Sequence, residues 1–129
     1  MKEGDRMVKL IYCVKKRPDL SDEDFHDYWL NRHGPLVRRL GPALKVLRYV
    51  QSHTMPLELH DLMKSLRGLG DIYDGTAELW WESIEDFLDA YSSPEGMDAN
   101  NALMEDEANF IDFAASCMFF TEEHSIIGE

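Results

Sequence analysis

The chain has 129 residues, of which 44% are hydrophobic, 29% charged and 11% aromatic, the make-up of one compact soluble domain spanning 1–129. A chain of this length buries roughly two-thirds of its unfolded surface, enough for one moderate core, so a sizeable pocket is expected to need a partner subunit. Its 13 basic and 25 acidic residues leave a net charge of −12, which disfavours nucleic acid and anionic membranes because both are held by clustered Lys and Arg.

No run of about 18 apolar residues is present to span a bilayer. The charged start, Met1 to Arg6, leads directly into a strand-like run without an apolar signal region, which predicts a cytoplasmic protein. The two cysteines, Cys13 and Cys117, fall in apolar strand-like segments, and without a secretion signal they are expected to be buried, reduced thiols.

Met7 to Val14 is β-branched and aromatic and is closed by Lys15-Lys16-Arg17-Pro18, the pattern of a first strand. Ser21-Asp22-Glu23-Asp24 offers a helix cap with acidic residues in the first turn. The helix that follows carries Phe25, Tyr28, Trp29 and Val37 at core spacing, kinks near Gly34-Pro35 and stops at Gly41-Pro42. Lys45 to Thr54 alternates as a second strand, with Val46, Arg48, Val50 and Ser52 on one face and Leu47, Tyr49, Gln51 and His53 on the other.

Between Pro56 and Gly70, Leu59, Leu62, Met63 and Leu66 have helical spacing, predicting a short lid-like helix ended by glycine. Asp74-Gly75 marks a turn, and Thr76 to Glu82 is a third strand with Ala77, Leu79 and Trp81 opposite Glu78 and Trp80. Ser83 and Ser93-Pro94 start two further helices. The second of these carries Met97, Leu103, Met104, Ala108, Phe110 and Ile111, with Glu105-Asp106-Glu107 as a solvated face. Ala115 to Thr121 is the last strand.

This order, βαββαβ, is the ferredoxin-like α+β plan, an antiparallel sheet with its helices on one face. Apolar residues also line the second sheet face, so pairing of two copies through their sheets is the expected remedy. The expected assembly is a homodimeric α+β barrel.

The string Phe25, Tyr28-Trp29, His33-Gly34-Pro35-Leu36 resembles the signature of the EthD-like group of the dimeric α+β barrel superfamily. Arg48-Tyr49-Val50-Gln51-Ser52-His53, Asp74-Gly75 with Ala77-Glu78-Leu79-Trp80, and Ser93-Pro94-Glu95-Gly96 agree with it in the same order. The resemblance covers roughly residues 7 to 127, and the stretch from Met55 to Gly70 departs from a minimal member. It implies a small cytoplasmic protein of organic small-molecule metabolism, in a superfamily that includes isomerases, cyclases, cofactor-free monooxygenases and haem-binding branches. Fold alone does not choose among these.

His33, beside the predicted kink, is the leading candidate proton carrier, the alternative being a structural histidine that bonds a nearby carbonyl or caps the helix end. Tyr49, Gln51 and His53 share one strand face, a polar wall suited to a carbonyl, phenol or lactone oxygen, or to bridging a dimer interface. Glu78 beside Trp80 in a partly dry cleft is a candidate acid or base with a raised pKa, the alternative being an exposed or salt-bridged carboxylate, and Tyr12 is a weaker binding candidate whose simplest place is the core.

No metal is expected. His26 and His33 are seven residues apart, roughly 10 Å along a helix, and no HExxH or CxxC spacing occurs. No cofactor is expected either, because Gly68-Leu69-Gly70 lacks the third glycine and preceding strand of a dinucleotide fingerprint. A Gly-x-Ser-x-Gly elbow is also missing.

The expected function is a cofactor-independent enzyme moving protons on a small hydrophobic molecule, as an isomerase, cyclase, dehydratase or lyase. His33, His53 and Glu78 are its expected catalytic residues and Tyr12, Tyr49, Gln51 and Trp80 its binding residues. The alternatives are a cofactor-free monooxygenase or auxiliary of an oxidative pathway, and a module that only binds its ligand.

Overall fold

The computed structural model describes residues 7–128. Four strands, β1 (Val8–Val14), β2 (Arg48–His53), β3 (Gly75–Trp81) and β4 (Cys117–Thr121), form one antiparallel sheet in the order β2-β3-β1-β4. The helices are α1 (Asp22–Tyr28), α2 (Gly34–Leu40), α3 (Leu59–Arg67), α4 (Ile84–Ser92) and α5 (Pro94–Glu107). The fold is the ferredoxin-like α+β plan expected from the element order.

Local chemistry explains most boundaries. The Ser21, Ser83 and Ser93 side chains each accept a backbone N–H three residues on, from Asp24, Asp86 and Gly96, and so cap α1, α4 and α5. Gly68 takes φ 65° and closes α3. Strand β2 starts later than the alternation suggests. A 3-10 turn over Gly41–Leu44 ends at Lys45 in the left-handed region, φ 58°, and its N–H bonds back to that turn.

The predicted kink is a π-helical turn, Trp29–His33, inserted between α1 and α2. Phe25, Trp29, His33 and Val37 are 0%, 1%, 4% and 4% exposed, so a strict four-residue stripe faces the core. Four residues overshoot an α-turn by about 40°, and three such steps would swing the stripe about 120° away from the sheet. The wider π turn absorbs that drift, and the proline at 35, which has no N–H and crowds the carbonyl four residues back, fits just beyond it.

The inner sheet face packs under α1, α2, α4 and α5. Val14, Phe25, Trp29, Ala77, Phe110 and Ile111 form one buried cluster, and Val37, Leu44, Ala99 and Leu103 form another. Trp81 joins the core with its indole N–H donated to the Leu44 carbonyl at 2.7 Å. Gly75 is required by a close approach, since a Cβ there would lie 2.6 Å from the Trp29 ring and 2.5 Å from the Ser52 carbonyl.

Several expectations are corrected. The cysteines are not buried: Cys117 is exposed and Cys13 half-buried, both free, because these positions alternate onto the outer sheet face, where they oppose each other across β1 and β4. Helix α5 ends at Glu107, so Phe110 and Ile111 lie beyond it, with Ile111 bridging Lys16. The helix α3 exists, but its Leu59, Leu62 and Leu66 are exposed and it covers no cavity between helices and sheet. It borders a separate surface cleft with His26.

Candidate active site

A cavity of about 460 Å³ lies between the inner sheet face and the helices. Its walls are mostly apolar, and six polar side chains reach it: Tyr12 and Tyr49 from the sheet, His33 from the π turn, and Tyr91, Asn100 and Glu107 from α4 and α5. The exposed β4 side chains Met118 and Phe120 close one side. A larger, more open groove of about 800 Å³ runs between α2 and the edge of β2. It holds Arg38 and Arg48 but no acid–base pair, whereas the smaller cavity brings a histidine and a carboxylate together.

His33 is buried and its Nδ1 lies 2.7 Å from Asp106 Oδ2. The other Asp106 oxygen accepts the Tyr28 hydroxyl at 2.6 Å, and Asn109 donates in turn to that hydroxyl. Burial pushes the Asp106 carboxyl up, but bonds from Tyr28 and His33 outweigh it and hold the group below its ordinary value. An ionised Asp106 can only accept, so His33 carries its proton on Nδ1 and turns an unprotonated Nε2 inward. Burial lowers the His33 pKa, and Asp106 offsets part of that shift. The neutral ring is therefore the form present at neutral pH.

Glu107 faces this nitrogen, with Oε2 3.9 Å from His33 Nε2. Its Oε1 accepts the Tyr12 hydroxyl at 3.2 Å. Burial raises the Glu107 pKa to about 7; the Tyr12 bond opposes the shift and the charge of Asp106 adds to it. Tyr12 itself is pushed up by burial and by Glu107, and burial takes Tyr91 to about 12. Near neutral pH the cavity thus holds a neutral base and a half-protonated acid side by side, the arrangement that general acid–base chemistry requires.

The structure divides the expected site residues. His33, Tyr12 and Tyr49 line the cavity. Gln51 and His53 share the inner face with Tyr49 but sit behind Trp29, outside the cavity. Glu78 and Trp80 do not join the site. Ala77 and Leu79 point inward, so period-two alternation sends their neighbours to the outer face, where Glu78 pairs with Lys9 at 2.8 Å and Trp80 lies beneath Arg48 and Lys9.

Sequence reasoning missed Asp106 and Glu107 by assigning residues 105–107 to a solvated face. Only Glu105 is exposed. The available signal was spacing: Asp106, Glu107 and Phe110 follow Leu103 by three, four and seven residues, the inward stripe of a helix.

Among the described residues no group of three or more His, Cys, Asp and Glu side chains is placed to hold a metal, and no helix is long and apolar enough to cross a membrane.

Comparison with known proteins agrees with this architecture. The chain is similar to the dehydratase aurZ of Gibberella zeae, 26% identical over 120 residues that make up 90% of this chain and 76% of the relative. An EthD family protein from Bacillus halodurans superposes with a TM-score of 0.62 at 19% identity, covering 92% of this chain and 99% of the other. A dimeric protein of ferredoxin-like fold and unknown function from Bacteroides fragilis gives 0.59 at 15% identity, with 95% and 100% covered. The family model described as the EthD domain matches residues 17–114, most of the chain. The chain belongs to the EthD domain family.

Proposed function

We propose that the protein is a dehydratase that works without a cofactor, eliminating water from a small, largely apolar β-hydroxy ketone that becomes conjugated or aromatic. The observation that carries this reading is the facing pair His33 Nε2 and Glu107 Oε2 inside an apolar cavity, one group tuned toward a neutral base and the other toward a protonated acid. The name of the Gibberella zeae relative supports the same reaction class.

In this mechanism His33 Nε2 removes the proton next to the ketone. The electron pair of that C–H bond becomes the new C=C bond as the carbon–oxygen bond breaks, and Glu107 protonates the departing hydroxyl to give water. The proton on Nε2 then passes to the Glu107 carboxylate, which restores both groups. Asp106 stabilises the transient imidazolium and holds the ring in place. Acid and base stand together on one wall, so the elimination is syn.

The protein acts as a homodimer through the outer sheet face. There Ile11, Cys13 and Phe119 form an apolar strip beside the Lys9–Glu78 pair, and the Bacteroides fragilis neighbour is described as dimeric.

3-Hydroxy-1-tetralone tests the reading, because loss of water gives 1-naphthol and is followed by ultraviolet absorbance. Protein treated with chelator is expected to accelerate the reaction. His33→Ala and Glu107→Gln are each expected to lose roughly 10²- to 10⁴-fold, and the rate is expected to fall above pH 7 as Glu107 ionises. Equal rates in wild type and His33→Ala would overturn the mechanism.

A further inference from the structure

Behind the cavity a line of hydrogen bonds runs from Tyr49 to the surface. Gln51 Nε2 lies 2.8 Å from the Trp29 carbonyl and 2.9 Å from the Tyr49 hydroxyl, Gln51 Oε1 lies 2.7 Å from His53 Nε2, and His53 Nδ1 lies 2.7 Å from His26 Nδ1. His26 borders the surface cleft beside α3, while Tyr49 borders the cavity.

One backbone atom decides the direction of every bond in this line. The Trp29 carbonyl can only accept, so the Gln51 atom beside it is the amide nitrogen, which settles an N/O assignment that geometry alone leaves open. Gln51 Oε1 must then accept, so His53 carries a proton on Nε2. The single proton between the two Nδ1 atoms sits on His26 when both rings are neutral, and His53 Nε2 keeps its hydrogen wherever that proton lies. The second amide hydrogen of Gln51 goes to the Tyr49 oxygen. Tyr49 therefore accepts on the side of the line, and among the described residues no side chain or carbonyl accepts its own hydrogen.

The π turn makes this possible. Its wide ring brings the Gly34 N–H to the Trp29 carbonyl from along the helix, and Gln51 approaches the same oxygen across from β2.

We propose that Gln51, backed by His53 and His26, is a positioning device that turns the Tyr49 hydroxyl hydrogen into the cavity, where it binds a carbonyl or phenolic oxygen of the ligand. The proposal rests on the cavity being the ligand site but not on the reaction that takes place there. It changes the roles of three residues: Tyr49 alone touches the ligand, while Gln51 and His53 act through it. A donor whose direction is fixed before the ligand arrives needs no reorganisation as negative charge grows on that oxygen.

Two measurements test it, and neither needs turnover. In long-range ¹H–¹⁵N spectra of histidine-labelled protein, His53 is expected to be protonated at Nε2 and, at high pH, His26 at Nδ1. A His53 lacking the Nε2 hydrogen would overturn the proposal. The second measurement is calorimetric binding of 1-tetralone and of tetralin, which lacks the oxygen. The ratio of ketone to hydrocarbon affinity is expected to fall roughly three- to tenfold in Tyr49→Phe. The same fall is expected in Gln51→Glu, whose carboxylate accepts the Tyr49 hydrogen and pulls it out of the cavity, and Gln51→Glu is expected to have no further effect once Tyr49 is Phe. An unchanged ratio in both single variants, or no binding of either probe, would overturn the role of Tyr49 as a donor.

Discussion

Glu107 is the residue on which stability and chemistry pull in opposite directions. Its pKa rises from 4.5 to about 7 on folding, so between those values the folded chain holds a proton that the unfolded chain has released. Stability therefore falls as pH rises through this window and levels off above it, by about 3 kcal/mol in all at 1.36 kcal/mol per unit. Glu107→Gln keeps an oxygen for the Tyr12 hydroxyl and removes the ionisation. Urea unfolding is expected to find this variant more stable than wild type at pH 8, by up to about 3 kcal/mol, and to find no such gain at pH 4. An equal effect at both pH values would mean that Glu107 is not tuned by burial. The group that makes the cavity an acid–base site is one that the fold holds at a cost.

At the scale of elements, the π turn and β3 depend on each other. Gly75 opens β3 at the point where the Trp29 ring, held by the π turn, presses against the sheet. Gly75→Ala sets a methyl group into that ring and into the Ser52 carbonyl. Overpacking of this kind costs about 1–3 kcal/mol, and urea unfolding is expected to register a loss of that order. The turn was visible in the sequence only as a break near Gly34-Pro35, because proline and glycine mark an interruption without specifying its form. What specifies it is the demand that residues 25, 29, 33 and 37 all face one sheet, which is a property of the assembled layers.

For the whole molecule, the sheet separates two kinds of surface. The inner face and its helices enclose the polar groups described above, and the outer face is left for the proposed partner. Phe119 lies opposite Ile11 on that outer face. Phe119→Lys is expected to convert a sedimenting dimer into a monomer while leaving the far-ultraviolet circular dichroism unchanged. A monomeric wild type would remove the basis for the interface.

Alternation, cap residues and turn signals were enough to place four strands and the main helices, and with them the fold. His33, Tyr12 and Tyr49 all line the cavity, and the sequence could single them out because a strand's inward positions and a helix's core stripe are local periodicities that the chain carries by itself. Local signals failed where two elements distant in sequence meet. Glu78 and Glu107 are both acidic residues beside apolar neighbours, and local pattern gives only the face each takes, by alternation against Ala77 and Leu79 for Glu78 and by a four-residue step from Leu103 for Glu107. Lys9 from the adjacent strand meets Glu78 on the outer face, whereas the packing of α5 over the sheet turns Glu107 into the cavity and brings Asp106 within 2.7 Å of a histidine 73 positions earlier. Local sequence determined which residues share a face. Only the tertiary structure decided which faces meet, and the desolvation and hydrogen bonds that tune a proton-transfer site exist only where they do.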